Sequence, residues 1–290
     1  MNGWLNLNKP LHMTSAQAVG AVKRALPRGV KIGHAGTLDP LADGVLPLAL
    51  GEATKLISLL HMDNKTYEFS IVWGEERITD DAEGEVIVSS PVRPTREQVE
   101  AVLPAYRGVI DRVPPQFSAL KVNGKRAYDL ARAGEDVELQ PRQVDIQELV
   151  IDSHDDFKTV LRCTCGTGTY IRSLARDIGR ACGSAGYVGQ LRRSRVGPFD
   201  LQTAFSLDTD GKTVDKDNLL QALLPVDFGL DDILAVTIGT HEETRLRHGQ
   251  EVVTAERLFA DPVLIRGVNG IVGIGVQNDR TLKTKRLLNL

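Results

Sequence analysis

Residues 33–51 constrain the fold of this chain more than any other stretch: Gly33-His34-Ala35-Gly36-Thr37-Leu38-Asp39-Pro40-Leu41-Ala42-Asp43-Gly44-Val45-Leu46-Pro47-Leu48-Ala49-Leu50-Gly51. Four glycines and two prolines interrupt a run of aliphatic side chains. Glycine opens backbone conformations closed to other residues, and Pro40 biases Asp39 away from the helical region. The segment is therefore shaped rather than periodic. It is also too apolar to lie in water, so the remaining chain has to pack around it. Asp39, between Leu38 and Pro40, becomes a carboxylate in partly apolar surroundings, which is costly unless it is paired. Taken alone, Asp39 reads either as a turn residue satisfied by neighbouring amides or as a reactive group.

A partner for that carboxylate is legible elsewhere. Gly166-Thr167-Gly168 marks a turn, and a helix follows from about Tyr170 with the apolar stripe Ile171, Leu174, Ala175, Ile178, Ala181 and Cys182; Gly183 closes it. Arg172 falls in the first turn, where the helix dipole disfavours a cation. It lies at the margin of the apolar face, while Arg176 and Arg180 rotate outward. An arginine placed there calls for an anion, either a carboxylate or a phosphate held bidentately. A structural salt bridge to Asp177 or Glu52 is the plainer alternative.

The other elements follow from capping and alternation. Thr14-Ser15-Ala16-Gln17 and Thr95-Arg96-Glu97-Gln98 each form a capping box, and Pro27 and Pro104 end the helices that follow. Tyr67, Phe69, Ile71 and Trp73 alternate with Thr66, Glu68, Ser70 and Val72, which predicts a half-buried strand with its aromatics on one face. Phe157, Thr159, Leu161, Cys163 and Cys165 predict a second. Strands and helices interleave without a regular βαβ rhythm, so the expected class is α+β around a mixed, largely antiparallel sheet. Residues 207–232 are acidic and expected at the surface. From Leu234 onward short β-like pieces predict a small C-terminal β domain.

Composition limits the function classes. The 290 residues suggest about two domains. No apolar run reaches the ~18 residues of a membrane helix, and Met1 to Ser15 lacks the features of a secretory signal. Three cysteines make no disulfide framework, and a reducing cytoplasm is expected. Cys163 and Cys165 share one side of a strand and read as buried thiols. His12, His34 and His61 do not stand at ligand spacing, so no metal is expected. Phosphate-loop, dinucleotide and Gly-x-Ser-x-Gly motifs are absent. Net charge is −3, yet residues 161–199 carry seven arginines against Asp177 alone, and residues 75–85 carry six acids against Arg77 alone. One basic face on a near-neutral chain, and with it a steep salt dependence of nucleic-acid binding, is the resulting expectation.

Several blocks together carry a family resemblance. Asn8-Lys9-Pro10, Gly33 to Gly44, Lys65-Thr66-Tyr67, Ser118 to Tyr128, Gly168-Thr169-Tyr170-Ile171-Arg172-Ser173-Leu174-Ala175 and Leu191-Arg192-Arg193-Ser194-Arg195-Val196-Gly197 resemble the sequence blocks of the bacterial TruB family of tRNA pseudouridine(55) synthases. They fall in the family's order and span residues 3 to about 200. One departure stands out: His12 occupies the place where the family carries glycine after Lys-Pro-x, which bears on the local turn and not on the Asp39 block.

The resemblance implies a pseudouridine-synthase fold over residues 1–230, an RNA-clamping insertion at about 111–143, mobile without tRNA through Gly124 and Gly134, and a PUA-like domain over 231–290. It implies isomerisation of a flipped-out uridine in the T loop of tRNA, with no cofactor, by a cytoplasmic monomer. Asp39 is the implied nucleophile or anionic assistant, Arg172 its partner, and Tyr67 the platform for the flipped base. His34, Tyr170, Leu191 and Lys9 are the implied substrate contacts, with Arg192, Arg193 and Arg195 as further phosphate contacts. Two other classes compete with this reading. A purely RNA-binding folding helper does not need the Asp39, Tyr67 and Arg172 set. An Asp-dependent hydrolase of glycosidase type lacks a recognisable second carboxylate.

Overall fold

The alternating segments assemble into one large sheet. The computed structural model describes residues 1–60, 62–117, 120–122, 124–132, 139–207 and 213–290. The body of the sheet comprises β1 (Gly3–Lys9), β2 (Ile32–His34), β3 (Ala42–Leu50), β4 (Lys65–Trp73), β5 (Gly108–Arg112), β6 (Arg142–His154), β7 (Lys158–Cys165) and β8 (Gly186–Val196). Its order is β1-β3-β8-β4-β7-β6-β5, with β2 on β3. Within this body only β3 and β8 run parallel; the other neighbours are antiparallel. The expected mixed, largely antiparallel α+β architecture is the one observed.

Three helices of this part matter for the site: α1 (Ser15–Ala25), α2 (Arg96–Val102) and α3 (Ile171–Ala181). Both capping boxes form. Thr14 accepts from the Gln17 amide while the Gln17 side chain accepts from the Thr14 amide, and Thr95 and Gln98 do the same for α2. Tyr170 is the N-cap residue of α3, and Gly183 follows its end at φ 67°.

β4 lies between β7 and β8, and Tyr67, Phe69, Ile71 and Trp73 are all buried. Phe69 stands opposite Leu161 on one side and Leu191 on the other. The predicted alternation fails at Ser70, which is also buried. A bulge in β8 brings the Gln190 amide onto Ser70 Oγ at 3.0 Å, so its hydroxyl is satisfied there. On β7, Thr159, Leu161, Cys163 and Cys165 face inward, and both cysteines are free thiols. Phe157 precedes β7 and is exposed.

Residues 213–232 correct a second expectation. Leu219 and Leu230 are buried, and Leu223 and Leu224 pair with Leu5 and Trp4 at the edge of β1. The acidic composition had masked an apolar residue every few positions, enough to anchor the segment. Within the 111–143 insertion, Lys121–Val122 pairs with Lys125–Arg126 and a short helix spans Ala127–Arg132. Ser118, Ala119, Asn123 and Gly134 lie outside the described residues.

The C-terminal part forms its own sheet from β9 (Ala235–Thr237), β10 (Val252–Gly267) and β11 (Gly270–Leu287), with α4 (Thr240–Arg247) beside it. Val236, Leu246, Val252, Val263 and Leu282 form its apolar centre. Leu264, Ile274 and Leu288 instead join a cluster with Trp4, Ala49 and Phe199, which docks this sheet against the first.

Phe69 sits at the centre of the main core. Phe69→Ala is expected to destabilise the chain by roughly 3–5 kcal/mol, measured by denaturant unfolding. A loss below about 1 kcal/mol would show that β4 is not core.

Candidate active site

Asp39 lies in the loop between β2 and β3, and the loop owes its shape to a run of satisfied carbonyls. Residues 36 to 40 each offer a backbone oxygen, and each oxygen has a donor. Arg193 on β8 donates from Nη2 to Gly36 at 3.1 Å and from Nη1 to Thr37 at 3.1 Å. Ser15 Oγ donates to Leu38 at 2.9 Å. The Ala42 amide donates to Asp39 at 3.1 Å, and the His12 amide to Pro40 at 2.8 Å. Arg193 Nε completes its own set on the Val45 carbonyl at 2.9 Å. The close contact of β3 with β8 requires Gly44: at φ 106° a Cβ there would stand 2.3 Å from the Arg193 carbonyl oxygen.

Asp39 meets the arginine that the helix N-terminus called for. Arg172 Nε stands 3.0 Å from Asp39 Oδ2. The arginine side chain is 7% exposed and the aspartate side chain 36%, so the carboxylate faces solvent while its partner is sunk in the protein. The rest of the guanidinium is also held. Nη1 donates to the Thr79 carbonyl at 3.1 Å and lies 3.5 Å from Asp81 Oδ2, and Nη2 donates to the Phe117 carbonyl at 3.0 Å. Neither Asp177 nor Glu52 is its partner. Arg172 thus sits between a buried carboxylate, Asp81, and an accessible one, Asp39, and fixes the direction of the latter.

Of the other expected site residues, His34 and Leu191 lie on β2 and β8, which border the Asp39 loop, and Tyr67 lies on β4, paired with β8. Tyr67 is the third residue of β4 and stands opposite Arg193 in register. Burial raises its phenol pKa, with the Arg193 guanidinium opposing. His34 ends β2, opposite Leu48; burial and Arg193 both lower its pKa, so the ring is neutral at pH 7. His34 Nδ1 is buried and has no partner among the described residues. Leu191 is buried on β8 opposite Ala42, at the start of β3. Tyr170 precedes Arg172 and lines a cavity with Arg112, Arg142 and Ser173.

Two expected phosphate contacts are placed differently. Lys9 is fully buried, and its Nζ donates to the Pro10 carbonyl at 2.9 Å and the Met13 carbonyl at 2.6 Å. Arg193 is buried, donates to the backbone oxygens of Gly36, Thr37 and Val45, and also interacts with the Tyr67 hydroxyl. Both cations shape backbone instead of meeting solvent. His12, in the place of the family's glycine, keeps a glycine-like backbone at φ 61°. That conformation costs a residue with a Cβ about 1–2 kcal/mol, offset by its amide bond to Pro40.

The expected basic face is corrected as well. The acids of 75–85 pair with the arginines of α3: Arg176 with Asp80 at 2.9 Å and Arg180 with Glu76 at 2.6 Å, beside Arg172 with Asp81. Arg176 also pairs with Asp177, Arg162 with Glu148, and Arg192 with Asp43. Two segments of opposite charge, 91 to 104 residues apart at these pairs, pair with each other. Asp80 is itself buried deeply enough that its pKa rises to about 6 against the pull of Arg176. Sequence reasoning missed Asp81, Ser15 and the scaffolding role of Arg193. For Asp81 the matching surplus of acids and arginines in the two segments was the available signal.

Lys9 gives this region a pH signature. Burial lowers its pKa from the ordinary 10.5 to about 8. Between these values the unfolded chain binds a proton that the native chain does not, so stability rises with pH there and the gain is lost as pH falls through 8. Measured as the difference from Lys9→Met, wild-type unfolding free energy is expected to climb between pH 8 and 10.5 by up to about 3 kcal/mol. A flat difference curve would contradict the buried ammonium.

The chain is similar to known proteins over its whole length. Residues 23–171 match the TruB family pseudouridylate synthase (N terminal domain), and residues 172–231 match the tRNA pseudouridylate synthase B C-terminal domain. The chain is 49% identical to tRNA pseudouridine synthase B of Rhodopseudomonas palustris, covering 100% of this chain and 81% of the relative. It is also 49% identical to the protein of that name from Caulobacter vibrioides, covering 89% and 83%. Among solved structures, a Cbf5-Nop10-Gar1 complex matches with TM-score 0.69 at 24% identity, over 98% of this chain and 84% of that one. An H/ACA RNP bound to a substrate RNA containing 2'-deoxyuridine matches with TM-score 0.71 at 22% identity, over 99% and 85%. These two likenesses speak for the fold alone. An Asp-bearing loop held against a buried arginine, on this sheet and with these relatives, places the chain in the TruB family of pseudouridylate synthases.

Proposed function

We propose that this chain converts a uridine in the T loop of tRNA to pseudouridine, with Asp39 as the reacting carboxylate. The observation that carries the reading is the Asp39–Arg172 pair at 3.0 Å, open to solvent only on the carboxylate side. Isomerisation breaks the N–C glycosidic bond, turns the base and forms a C–C bond to the same sugar. No redox step and no group donor enter. Asp39 acts on the sugar by one of two routes, attack on the anomeric carbon or removal of the neighbouring proton to give a glycal. Either route needs a carboxylate held in one direction, and the Arg172 guanidinium supports that.

A uridine stacked in folded tRNA has to leave its stack to reach Asp39. Tyr67, beside Arg193 at the mouth of β4, is the aromatic surface that replaces the lost stacking. Leu191 and Tyr170 are the further contacts of the flipped base in this reading, and His34 meets the displaced loop. Residues 1–230 make up the catalytic domain in this reading, and 231–290 a PUA-like domain. The protein works as a monomer in the cytoplasm.

The direct test is incubation with unmodified tRNA transcript followed by position-resolved pseudouridine mapping; a folded protein that leaves the T loop unmodified overturns the reading. Asp39→Asn is expected to abolish product while keeping the fold and most tRNA affinity. Residual turnover within about tenfold of wild type, or ~1.4 kcal/mol of barrier, would make Asp39 structural.

The pairing of the α3 arginines predicts which cations track phosphate. Arg195 is exposed and its Nε donates to the Gly197 carbonyl, so it keeps charge to offer RNA. Arg195→Ala is expected to flatten the slope of log affinity against log salt by roughly 0.7–0.9. Arg176→Ala is expected to lower stability and leave that slope unchanged. The reverse pattern would restore the basic-face expectation.

A further inference from the structure

Both neighbours of Asp39 are tied to a single turn between β1 and α1. Ser15 Oγ accepts from the Leu38 amide at 2.9 Å and donates to the Leu38 carbonyl at 2.9 Å. The His12 amide donates to the Pro40 carbonyl at 2.8 Å. The turn is itself braced by Lys9 Nζ on the Pro10 and Met13 carbonyls. Ser15 is buried, so water does not stand in for its hydroxyl. Helix α1 does not need that hydroxyl either, since Thr14 and Gln17 already cap it. Its two hydrogen bonds serve the Asp39 loop.

The consequence is directional. Fixing the backbone on either side of Asp39 fixes its Cα–Cβ bond. Two side-chain torsions remain, and Arg172 Nε holds the carboxylate that they orient. We propose that Ser15 is a positioning residue for the isomerisation. Its hydroxyl, with the His12 amide as the second jaw, clamps the Asp39 backbone so that the carboxylate meets the sugar in the reactive direction. This rests on the reading of Asp39 as the reacting group. Ser15 touches no substrate, so its loss falls on the chemical step and not on RNA affinity.

The test compares Ser15→Ala, Ser15→Thr and Thr14→Ala, each measured for single-turnover rate on unmodified tRNA transcript, for tRNA dissociation constant and for melting temperature. Ser15→Ala is expected to lower the rate by about tenfold to hundredfold while the dissociation constant stays within about threefold. Ser15→Thr keeps the hydroxyl and is expected to recover most of the rate. Thr14→Ala removes the helix cap, lowers the melting temperature, and is expected to keep the wild-type rate.

Should Ser15→Ala not fold, Ser15→Cys, nearly isosteric and a poor hydrogen-bonding group, takes its place with the same expected loss. A folded Ser15→Ala or Ser15→Cys with the wild-type rate overturns the clamp. So does a Thr14→Ala rate as low as that of Ser15→Ala, which would trace the effect to general loosening of the helix end. Wild-type protein that forms no pseudouridine instead overturns the functional reading itself, so the two failures are distinct.

Discussion

The buried guanidinium of Arg193 is the interaction on which the rest of the site depends. Among the described residues it has no carboxylate in hydrogen-bond contact, and it spends donors on three backbone oxygens of the β2–β3 segment. A buried charge is tolerable only when its donors are satisfied, and the loop is tolerable only when its carbonyls are. Each requirement meets the other. Arg193 holds the first part of the loop and the β1–α1 turn holds the second, so the backbone around Asp39 has little freedom. Gly44 lets β3 approach β8 closely enough for this to happen.

Charge is organised in the same way around Arg172. A lone arginine in the first turn of a helix is unfavourable, and this one is stabilised by Asp39, by Asp81 and by two carbonyls. The segment carrying Asp81 is locked to α3 by Asp80 and Glu76. Part of what looks in the sequence like an arginine-rich binding face, Arg172 and Arg193 above all, is therefore internal scaffolding. It leaves one carboxylate oriented toward solvent in an otherwise neutralised cluster. A site built like this gains its orientation from the fold.

Much of this was legible in the sequence wherever the governing interaction is local. The Thr14 and Thr95 capping boxes involve groups three residues apart, and the β4 and β7 alternation follows from the pleat alone. Asp39 stood out because its flanking residues are incompatible with a solvated loop, and Arg172 because its helix position demands an anion. The misreadings share one cause. Arg193 and Lys9 look like phosphate ligands by residue type, but their burial is set by strands that meet only in the folded sheet. Asp81 is separated from Arg172 by 91 positions, and no local pattern joins them. Ser70 is buried where a bulge in a neighbouring strand meets its hydroxyl, which its own alternation does not encode. His12 holds a left-handed backbone at φ 61° with its amide bonded to the Pro40 carbonyl, which its residue type does not announce.

The central claim is that the Asp39 loop is as rigid as the sheet that holds it. Native-state amide hydrogen exchange tests this most directly, read at Ala35, Leu38 and Ala42. Their N–H groups bond to the Pro47 carbonyl, to Ser15 Oγ and to the Asp39 carbonyl. If the loop is held as described, these amides exchange only through global unfolding, with the same opening free energy as Phe69 and Ile71 in β4. Exchange through a low-energy local opening, while the β4 amides stay protected, would contradict a preformed site and place the ordering of Asp39 after RNA binds.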